Sequence, residues 1–303
     1  MDIKSLKNLR CTVYENEPLY KYTTFKIGGP ADFLVKVSDI ESLKKILLFL
    51  STKNIPYFLI GNGSNLLISD KGFRGVVIKL SDDFDKIFCK NNELICGASA
   101  SLSKICKFAL KNSLSGLEFI YGVPGACGGA VFMNAGAYGG EIKDVIKEVN
   151  YIDNMGNSGK LNKEESDFSY RSSIYSKKNL IITSATFSLV SSNFKNINKK
   201  MDENISRRNE KQPVEMASAG SVFKRPLNHF AGTLIQNCNL KGKKIGGAMV
   251  SEKHSGFIVN TGDATYEDVL NLINFIKKEV FEKTGIVLSE EIKIIGEKNG
   301  KDG

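Results

Sequence analysis

Tyr121–Gly140 reads YGVPGACGGAVFMNAGAYGG, and this stretch carries the strongest functional signal in the chain. Seven of its twenty residues are glycine and none is charged. Glycine permits positive φ angles and a close approach of the backbone to a ligand, so the stretch suits a surface of bare N–H groups against a large anionic or planar molecule. Val123, Phe132 and Met133 distinguish it from a solvated glycine linker. A tightly packed buried turn is the alternative interpretation.

A second glycine loop, GNGSN at residues 61–65, follows the apolar run Tyr57–Ile60. It could be a pyrophosphate cradle made of consecutive N–H donors, or simply a tight β-turn. The common nucleotide motifs do not fit: there is no GxxxxGK[ST] sequence, and Leu66 stands where a dinucleotide fingerprint has its third glycine. The kinase motifs are also missing.

The length, composition and charge of the chain limit which kinds of protein it could be. The 303 residues suffice for about two domains, and 42% hydrophobic with 25% charged residues is ordinary for a globular protein. The formal net charge is +9, but the lysines are spread along the chain, which does not favour nucleic-acid binding. The charge reflects either a compositional bias or a field that attracts a polyanionic small molecule.

Cysteine usage and hydropathy indicate the compartment. The N-terminus MDIKSLKNLR has no apolar core of a signal peptide, so we expect a cytoplasmic protein. No apolar run approaches the roughly 18 residues of a membrane span, and no membrane partner is expected. The six cysteines are expected to be reduced thiols, and the absence of CxxC together with only two histidines argues against zinc.

Strand and helix patterns alternate along the chain, which predicts an α+β fold. Alternation at 33–37 predicts a strand, and helical spacing over 40–50 follows a possible Ser38/Glu41 capping box. The runs 57–60 and 76–78 complete a β-α-β arrangement with the GNGSN loop at a strand end.

Later segments repeat this mixture. Strands are predicted over 145–153 and 181–189. A short helix is predicted over 102–109 and a longer one over 269–280. The longer helix lies between a Thr265/Asp268 capping pair and a Gly285 stop. The polar stretch 191–200 is the best candidate for a domain boundary. We therefore expect a first region over 1–195, with subdomains of about 1–78 and 79–195, and a second domain over 196–303.

Seven segments in order resemble one enzyme family, the UDP-N-acetylenolpyruvoylglucosamine reductases. They are TTFKIGGPAD, GNGSNLLISD, GVPGACGGAVFMNAGAYGGE, FSYRSSIY, SAGSVFKRP, KIGGAMVSEKHSGFIVN and LSEEIKIIG. The resemblance covers nearly the whole chain, from about Thr23 to Gly296. Only nine residues, Ser172–Leu180, separate Arg171 from the next predicted strand, which resembles the branch of the family without the longer tyrosine-bearing loop.

The resemblance implies a cofactor, a reductant and a substrate. It implies non-covalent FAD in a fold like that of the vanillyl-alcohol-oxidase (PCMH-type) flavoproteins, NADPH as the source of electrons, and a C-terminal domain that binds a UDP-sugar. The two glycine loops would grip the two ends of the dinucleotide. The implied cofactor-binding residues are Gly61, Asn62, Gly63, Ser64, Asn65, Gly122, Pro124, Gly125, Gly128, Gly129, Asn134, Gly136 and Ala137.

The family's three catalytic residues fall on Arg171, Ser221 and Glu291. Hydride addition to the terminal carbon of an enolpyruvyl ether pushes negative charge onto its carboxylate, which an arginine would stabilise. Ser221 would then donate a proton to the other carbon. Glu291 follows Ser289 and Glu290, where the family usually has Glu and Pro, and we expect it to be protonated with a raised pKa or paired with a cation.

Several residues are left with open roles. Lys224 and Arg225 could hold the UDP diphosphate or the substrate carboxylate, or form a solvated basic turn. Cys127 is expected to be a small hydrophobic residue rather than a covalent flavin link, and His254 to be structural.

We expect the protein to be a monomer. We expect no nucleic-acid partner. Two other functions remain possible at this stage: a flavin-dependent oxidase of the same superfamily, and a non-catalytic UDP-sugar-binding protein. Rapid peroxide release would indicate the oxidase, and a colourless protein that binds UDP-sugars would indicate the binding protein.

Overall fold

The computed structural model describes residues 9–296, and the chain divides into two compact units. As far as they are described, the first unit comprises Met1–Glu15, Phe33–Asn62 and Gly75–Arg207, and the second comprises Asn16–Asp32, Gly63–Arg74 and Arg208–Gly303. Residues 1–8, part of the stretch from which the absence of a signal peptide was inferred, lie outside the described residues. The division into a cofactor region over 1–195 and a substrate domain over 196–303 stays a prediction.

Within the described residues, the first unit contains most of the strands and six α-helices. Its helices are α1 (Ile40–Thr52), α2 (Leu102–Lys111), α3 (Cys127–Phe132), α4 (Ile142–Val145), α5 (Ile174–Lys177) and α6 (Phe194–Lys211, whose last residues belong to the second unit). Its strands, of which β1, β2 and β5 cross the division at one end, are β1 (Cys11–Pro18), β2 (Pro30–Val37), β3 (Tyr57–Leu59), β5 (Phe73–Leu80), β6 (Ile87–Lys90), β7 (Glu93–Gly97), β8 (Leu114–Ser115), β9 (Gly136–Ala137), β10 (Gly140–Glu141), β11 (Ile146–Ile152), β12 (Ser158–Asn162), β13 (Ile181–Ser188) and β14 (Val190–Ser191).

Two larger sheets organise these strands. One has the order β1-β2-β5-β3, and the other is an antiparallel sheet with the order β12-β11-β13-β7-β6. Strand β3 runs parallel to β5, and the GNGSN loop leaves the end of β3, as the sequence predicts. The small strands pair as β8-β14 and β9-β10.

Apolar side chains from these elements form one core in the first unit. The inward residues of α1, including Leu43, Leu47 and Leu50, are at most 1% exposed and follow the helical spacing of the sequence. In β13, Ala185 and Phe187 are fully buried at alternate positions. This core supports the glycine-rich segments described below.

The second unit has its own core. Its helices are α7 (Ala231–Asn237) and α8 (Tyr266–Thr284), and its strands are β4 (Leu66–Ile68), β15 (Ala217–Ser221), β16 (Lys244–Ile245), β17 (Ala248–Val250), β18 (Phe257–Asn260) and β19 (Lys293–Ile295). Four of them form an antiparallel sheet with the order β15-β18-β17-β16, and β19 pairs in parallel with β4. Leu272 and Ile276 of α8 are buried in this core.

Local signals predicted the ends of α8 well. Thr265 and Asp268 form the predicted capping box, and Gly285 ends the helix with φ of +70°. The predicted cap of α1 is wrong, because Asp39 rather than Ser38 accepts the hydrogen bond from the Ser42 N–H. Aspartate and serine are similarly good N-cap residues, so the sequence could not separate two neighbouring candidates.

The remaining predicted elements are confirmed as helices or strands. The polar stretch 191–200 contains the start of α6, and its interpretation as a domain boundary stays a prediction. Among the described residues, no helix is both long enough and apolar enough to cross a bilayer.

Candidate functional site

The glycine-rich segment of the first unit is held by main-chain hydrogen bonds. The N–H groups of Cys127 and Gly128 donate to the carbonyls of Ala100 and Ala98 at 2.9 and 2.8 Å, and Gly125 accepts from the Leu102 N–H at 3.0 Å. A methyl group on Gly128 would lie 3.0 Å from the Ala98 side chain, so packing alone favours glycine there. The segment is therefore a fixed surface and not a loose loop.

Other glycines in this surface have no such packing reason. A Cβ on Gly129 would have no neighbouring atom within 4 Å, and one on Gly61 would touch only Ala126 at an ordinary 3.7 Å. Gly122 needs its glycine for conformation, since its φ is +84°. Pro124 is exposed beside it. The chain thus leaves bare main chain exposed at Gly61 and Gly129 although the protein itself has room for a side chain.

The first part of the GNGSN loop is fixed by a lysine that the sequence did not single out. Lys79 Nζ donates a hydrogen bond to the Gly61 carbonyl at 2.7 Å. Burial, and to a smaller extent the charge of Lys36, lowers the pKa of Lys79. Asn62 is exposed and forms no hydrogen bond to another residue within the part of the chain that the structure describes. A lysine in the otherwise apolar end of β5 was the available signal for Lys79.

Cys127 lies in the core of the first unit. Its side chain is fully buried, and its Sγ approaches the Cys96 carbonyl at 3.9 Å. Burial raises the pKa of the Cys127 thiol to about 12. A neutral, buried thiol behaves as a small apolar group, so the sequence-based interpretation of Cys127 agrees with its environment.

Asn134 is completely buried, and both its amide nitrogen and its amide oxygen form hydrogen bonds within the protein. Nδ2 donates to Glu141 Oε2 at 2.9 Å and to the Ser169 carbonyl at 3.0 Å, and Oδ1 accepts from the Lys143 N–H at 3.0 Å. Asn134 therefore links the end of the glycine-rich segment to the turn before Arg171. Its assignment to cofactor binding stays a prediction.

Arg171 projects from a strained turn in the same unit. Its φ is +54°, in the left-handed region that only a well-held non-glycine residue occupies. Its Nη2 donates to the Gly136 carbonyl at 3.3 Å, and its guanidinium lies 5.2 Å from the centre of the Tyr170 ring. The neighbouring Ala137 pairs with Gly140 across the small β9-β10 ladder. The structure thus brings Arg171, Gly136 and Asn134 together.

In the second unit, Ser221 ends β15 next to an irregularity in its pairing with β18. Gly220 before it has φ of +78°, which turns the chain and presents the serine. The Ser221 hydroxyl donates weakly to the Phe223 carbonyl at 3.3 Å. A Cβ on Gly256 would lie 3.0 Å from His254 Cε1 and 3.5 Å from Ser221 Oγ, so Gly256 and the His254 ring both lie close to the serine hydroxyl.

The segment that contains Glu291 pairs with the segment that directly follows Ser221. The Glu291 N–H donates to the Val222 carbonyl at 2.7 Å, and Phe223 and Glu290 face each other across an isolated antiparallel bridge. The side chain of Glu290 forms an ion pair with Lys277 of α8 at 2.8 Å. The two neighbouring glutamates are therefore distinguished: Glu290 is committed to α8, and Glu291 lies beside the serine strand at intermediate exposure.

The second part of the GNGSN loop belongs to this group. Asn65 Nδ2 donates to the Glu291 carbonyl at 3.2 Å, and its own carbonyl accepts from the Lys293 N–H at 2.9 Å. Gly63 has φ of +62°, and a Cβ there would lie 2.0 Å from the Tyr22 carbonyl oxygen, so only glycine fits. Ser64 forms no hydrogen bond to the other described residues. The loop thus holds the Glu291 main chain through its carbonyl, while Val222 holds it through its N–H.

Basic side chains surround this part of the second unit. Lys224 and Arg225 are exposed, the Lys224 N–H donates to the Ser289 carbonyl at 2.9 Å, and Arg225 stacks on the exposed ring of Phe230 at 4.2 Å. Although Lys293 is exposed by surface area, the protein packed around it and the charge of Lys224 lower its pKa. Burial is the larger cause of this shift, and the smaller one, the charge of Lys224, means that two cations lie near each other, which favours an anionic ligand. Lys293 was not identified from the sequence.

His254 is a neutral, half-buried imidazole. Its Nδ1 accepts from the Gly256 N–H at 3.1 Å, and its ring lies edge-on to Phe257 at 4.9 Å. Burial lowers its pKa, followed by repulsion from Lys241. The side chain shapes the loop next to Ser221, which agrees with a structural role.

Over residues 9–296 there is no cluster of three or more potential metal ligands. None of the six cysteines, all of which lie within residues 9–296, forms a disulfide.

Two family models match the chain. Residues 31–161 match a FAD binding domain, and residues 212–295 match the C-terminal domain of UDP-N-acetylenolpyruvoylglucosamine reductase.

Curated relatives match over nearly full length. A UDP-N-acetylenolpyruvoylglucosamine reductase from Caldanaerobacter subterraneus subsp. tengcongensis is 51% identical over 286 residues, which is 94% of each chain. One from Lachnoclostridium phytofermentans is 49% identical over 302 residues, which is 98% of this chain and 97% of the relative.

The crystal structure of the reductase (MurB) from Thermus caldophilus superposes with a TM-score of 0.81. It is 35% identical and covers 95% of this chain and all of that chain.

Proposed function

The chain belongs to the UDP-N-acetylenolpyruvoylglucosamine reductase family, and on that premise we propose that it uses NADPH to reduce UDP-N-acetyl-enolpyruvoylglucosamine to UDP-N-acetylmuramate. The resemblance drawn from the sequence is confirmed, and so is an α+β chain with a FAD-binding domain and the family's C-terminal domain. The protein is an oxidoreductase of peptidoglycan precursor synthesis. NADPH, the direction of hydride transfer and the residue roles below are our proposals.

The residues of the first unit fit a non-covalent FAD. Gly61 and Gly129 leave bare main chain exposed where the protein has room for a side chain, which is the surface expected beneath a large planar or anionic group. Cys127 is buried with its thiol pKa raised to about 12, so it is unsuited to a covalent link. Bound FAD would supply the hydride that no amino-acid side chain can donate.

Arg171 is proposed to bind the carboxylate of the enolpyruvyl group. Its guanidinium is permanently charged and offers paired N–H donors that match a carboxylate. Charge on that carboxylate grows as the terminal carbon accepts hydride, so an arginine fixed in advance stabilises the transition state more than the ground state. The strained backbone at Arg171 supports this role, since such strain persists where the surroundings fix a functional side chain.

Ser221 is proposed to donate a proton to the carbon that bears the ether oxygen. The hydroxyl lies near Gly256, and its bond to the Phe223 carbonyl is long at 3.3 Å, so little is lost when that bond is given up. Rotation about the C–O bond is enough to redirect the hydrogen. The addition of one hydride and one proton across the double bond completes the reduction.

Glu291 is proposed to act beside Ser221, as the family motif implies. The ion pair of Glu290 with Lys277 supports the choice of Glu291 over the neighbouring carboxylate. The hydrogen bonds of the Glu291 main chain to Val222 and Asn65 hold it next to the serine strand. Its protonated or cation-paired state stays a prediction.

Lys224 and Arg225 are proposed to bind the anionic UDP portion of the substrate. The observation that supports this is the grouping of cations: Lys224 lies near enough to Lys293 for its charge to act on that residue, and the exposed Arg225 follows Lys224 in the chain. We further propose that the protein is cytoplasmic and monomeric, as expected from the sequence.

The observation that carries the catalytic proposal is the placement of Ser221 and Glu291 on paired segments of one unit. The test is Ser221→Ala, with Ser218→Ala on the same strand as a matched control. Flavin reduction by NADPH should be unchanged in both variants. Turnover of the enolpyruvyl substrate should fall at least ~100-fold in Ser221→Ala alone, because the proton donor is lost.

Two results would overturn parts of the proposal. Unchanged turnover in Ser221→Ala removes its role as the proton donor. Rapid peroxide release together with indifference to NADPH would identify an oxidase instead.

A further inference from the structure

Glu141 directly follows the glycine-rich segment and has no part in the mechanism above. A Cβ placed on Gly136 would lie 2.9 Å from Glu141 Cγ and 3.5 Å from Arg171 Nη1. The two side chains therefore occupy the same small space beside Gly136. The Arg171 Nη2 bond to the Gly136 carbonyl fixes the guanidinium on that side.

Asn134 connects the same two residues from within the core. One Nδ2 hydrogen goes to the Glu141 carboxylate, and the other goes to the carbonyl of Ser169. Ser169 and Ser172 exchange main-chain hydrogen bonds of 3.0 and 3.1 Å across the tight turn that contains Arg171. A fully buried side chain thus fixes both the turn that carries the arginine and the carboxylate that faces it.

The Glu141 carboxylate is held as an anion by its surroundings. It caps α4 together with Asp144 and forms an ion pair with Lys143 at 2.9 Å. Burial alone would raise its pKa, but the hydrogen bonds from Lys143 and Asn134 and the charges of Lys143 and Arg171 lower the pKa overall. A fixed negative charge therefore lies in the electrostatic field of Arg171.

We propose that Glu141 and Asn134 are positioning residues that hold the Arg171 guanidinium in its catalytic orientation. A free arginine side chain has rotamer entropy, which would otherwise be lost when it binds the substrate. Holding the guanidinium in advance lowers this cost and places the charge where it is needed in the transition state. This inference rests on the proposed role of Arg171 in binding the substrate carboxylate.

A double-mutant cycle tests the inference. The variants are Glu141→Gln, Arg171→Met and the double variant, with Glu148→Gln as a matched control in the same unit. Glu148 is similarly exposed (30% against 29% for Glu141) and also pairs with a lysine, Lys160, at 3.1 Å. Turnover, KM and thermal unfolding are measured for each variant, all loaded with FAD.

The expected pattern is specific to a residue that acts through another. Glu141→Gln should lower turnover about tenfold in the wild-type background and have no further effect in Arg171→Met, because contacting residues are coupled. Glu148→Gln should leave turnover unchanged in the wild-type background and in Arg171→Met. Equal effects in both backgrounds, or wild-type turnover in Glu141→Gln, would overturn the inference.

A second readout does not depend on activity. Nitrogen-15 NMR of arginine side chains, with the Arg171 signal assigned by its loss in Arg171→Met, should show a sharp Nε–H resonance that broadens in Glu141→Gln. If the wild type does not reduce the enolpyruvyl sugar but this broadening is seen, the proposed function fails and the positioning stands. An Arg171 signal unaffected by Glu141→Gln refutes the positioning whatever the activity.

Discussion

Gly129→Ala separates what the protein needs for folding from what the cofactor needs. Gly129 lies inside α3, at a φ outside the left-handed region, and a Cβ there would meet no atom within 4 Å. Alanine is better than glycine in a helix by about 0.5–1 kcal/mol. The substituted apoprotein should therefore unfold at a temperature higher by about 1–2 °C.

The same methyl group should weaken FAD binding. If the bare surface at Gly129 lies against the cofactor, one extra methyl in that contact costs about 1–3 kcal/mol, which is about 5- to 150-fold in the dissociation constant. The stability and the cofactor affinity thus change in opposite directions. A substitution that merely damaged the fold would lower both.

FAD is titrated into the apoprotein and its dissociation constant is measured by calorimetry. Thermal unfolding of the apoprotein is measured separately. Ser206→Ala is the control: Ser206 is exposed in the middle of α6, so alanine should raise stability by up to about 0.5 kcal/mol and leave FAD affinity unchanged. Wild-type FAD affinity in Gly129→Ala would refute the argument that the bare main chain there forms the cofactor surface.

Two further predictions concern strain and pH. Arg171→Gly should be more stable than Arg171→Ala by about 1 kcal/mol in urea unfolding, because glycine tolerates a φ of +54° and alanine does not, while both lose turnover; equal stabilities would contradict the strain. Burial lowers the pKa of His254 below 6.5, so between pH 6.5 and that lower pKa the unfolded chain binds a proton that the folded chain does not. The free energy of unfolding should therefore fall as the pH drops through this window, and it should fall less in His254→Gln; parallel pH profiles of the two proteins would refute this.

The structure shows which features a single sequence could predict. The ends of α8 were predictable because Thr265, Asp268 and Gly285 act on their own helix over a few residues. Which segments of the chain make up the second unit could not be predicted, because this depends on contacts between residues far apart in the sequence. Thr24, for example, donates its hydroxyl hydrogen to the Ser218 carbonyl at 2.7 Å across 194 positions of sequence.

The candidate site shows the same division. Motifs located Arg171, Ser221 and Glu291, because each stands in a distinctive local pattern. Lys79 and Glu141 were missed, because their importance lies in which main-chain carbonyl or side chain they meet in three dimensions. Asn134 was found for its place in a motif, but its hydrogen bonds to Glu141 and Ser169 became visible only in the fold.

Anaerobic stopped-flow spectroscopy of the FAD-loaded protein tests the central claim most directly. The account predicts that NADPH bleaches the flavin absorbance and that UDP-N-acetyl-enolpyruvoylglucosamine then restores it in a single turnover, whereas UDP-N-acetylglucosamine, which lacks the alkene, does not. Flavin that stays reduced in the presence of the enolpyruvyl sugar, or that is restored equally by both sugars, would contradict it.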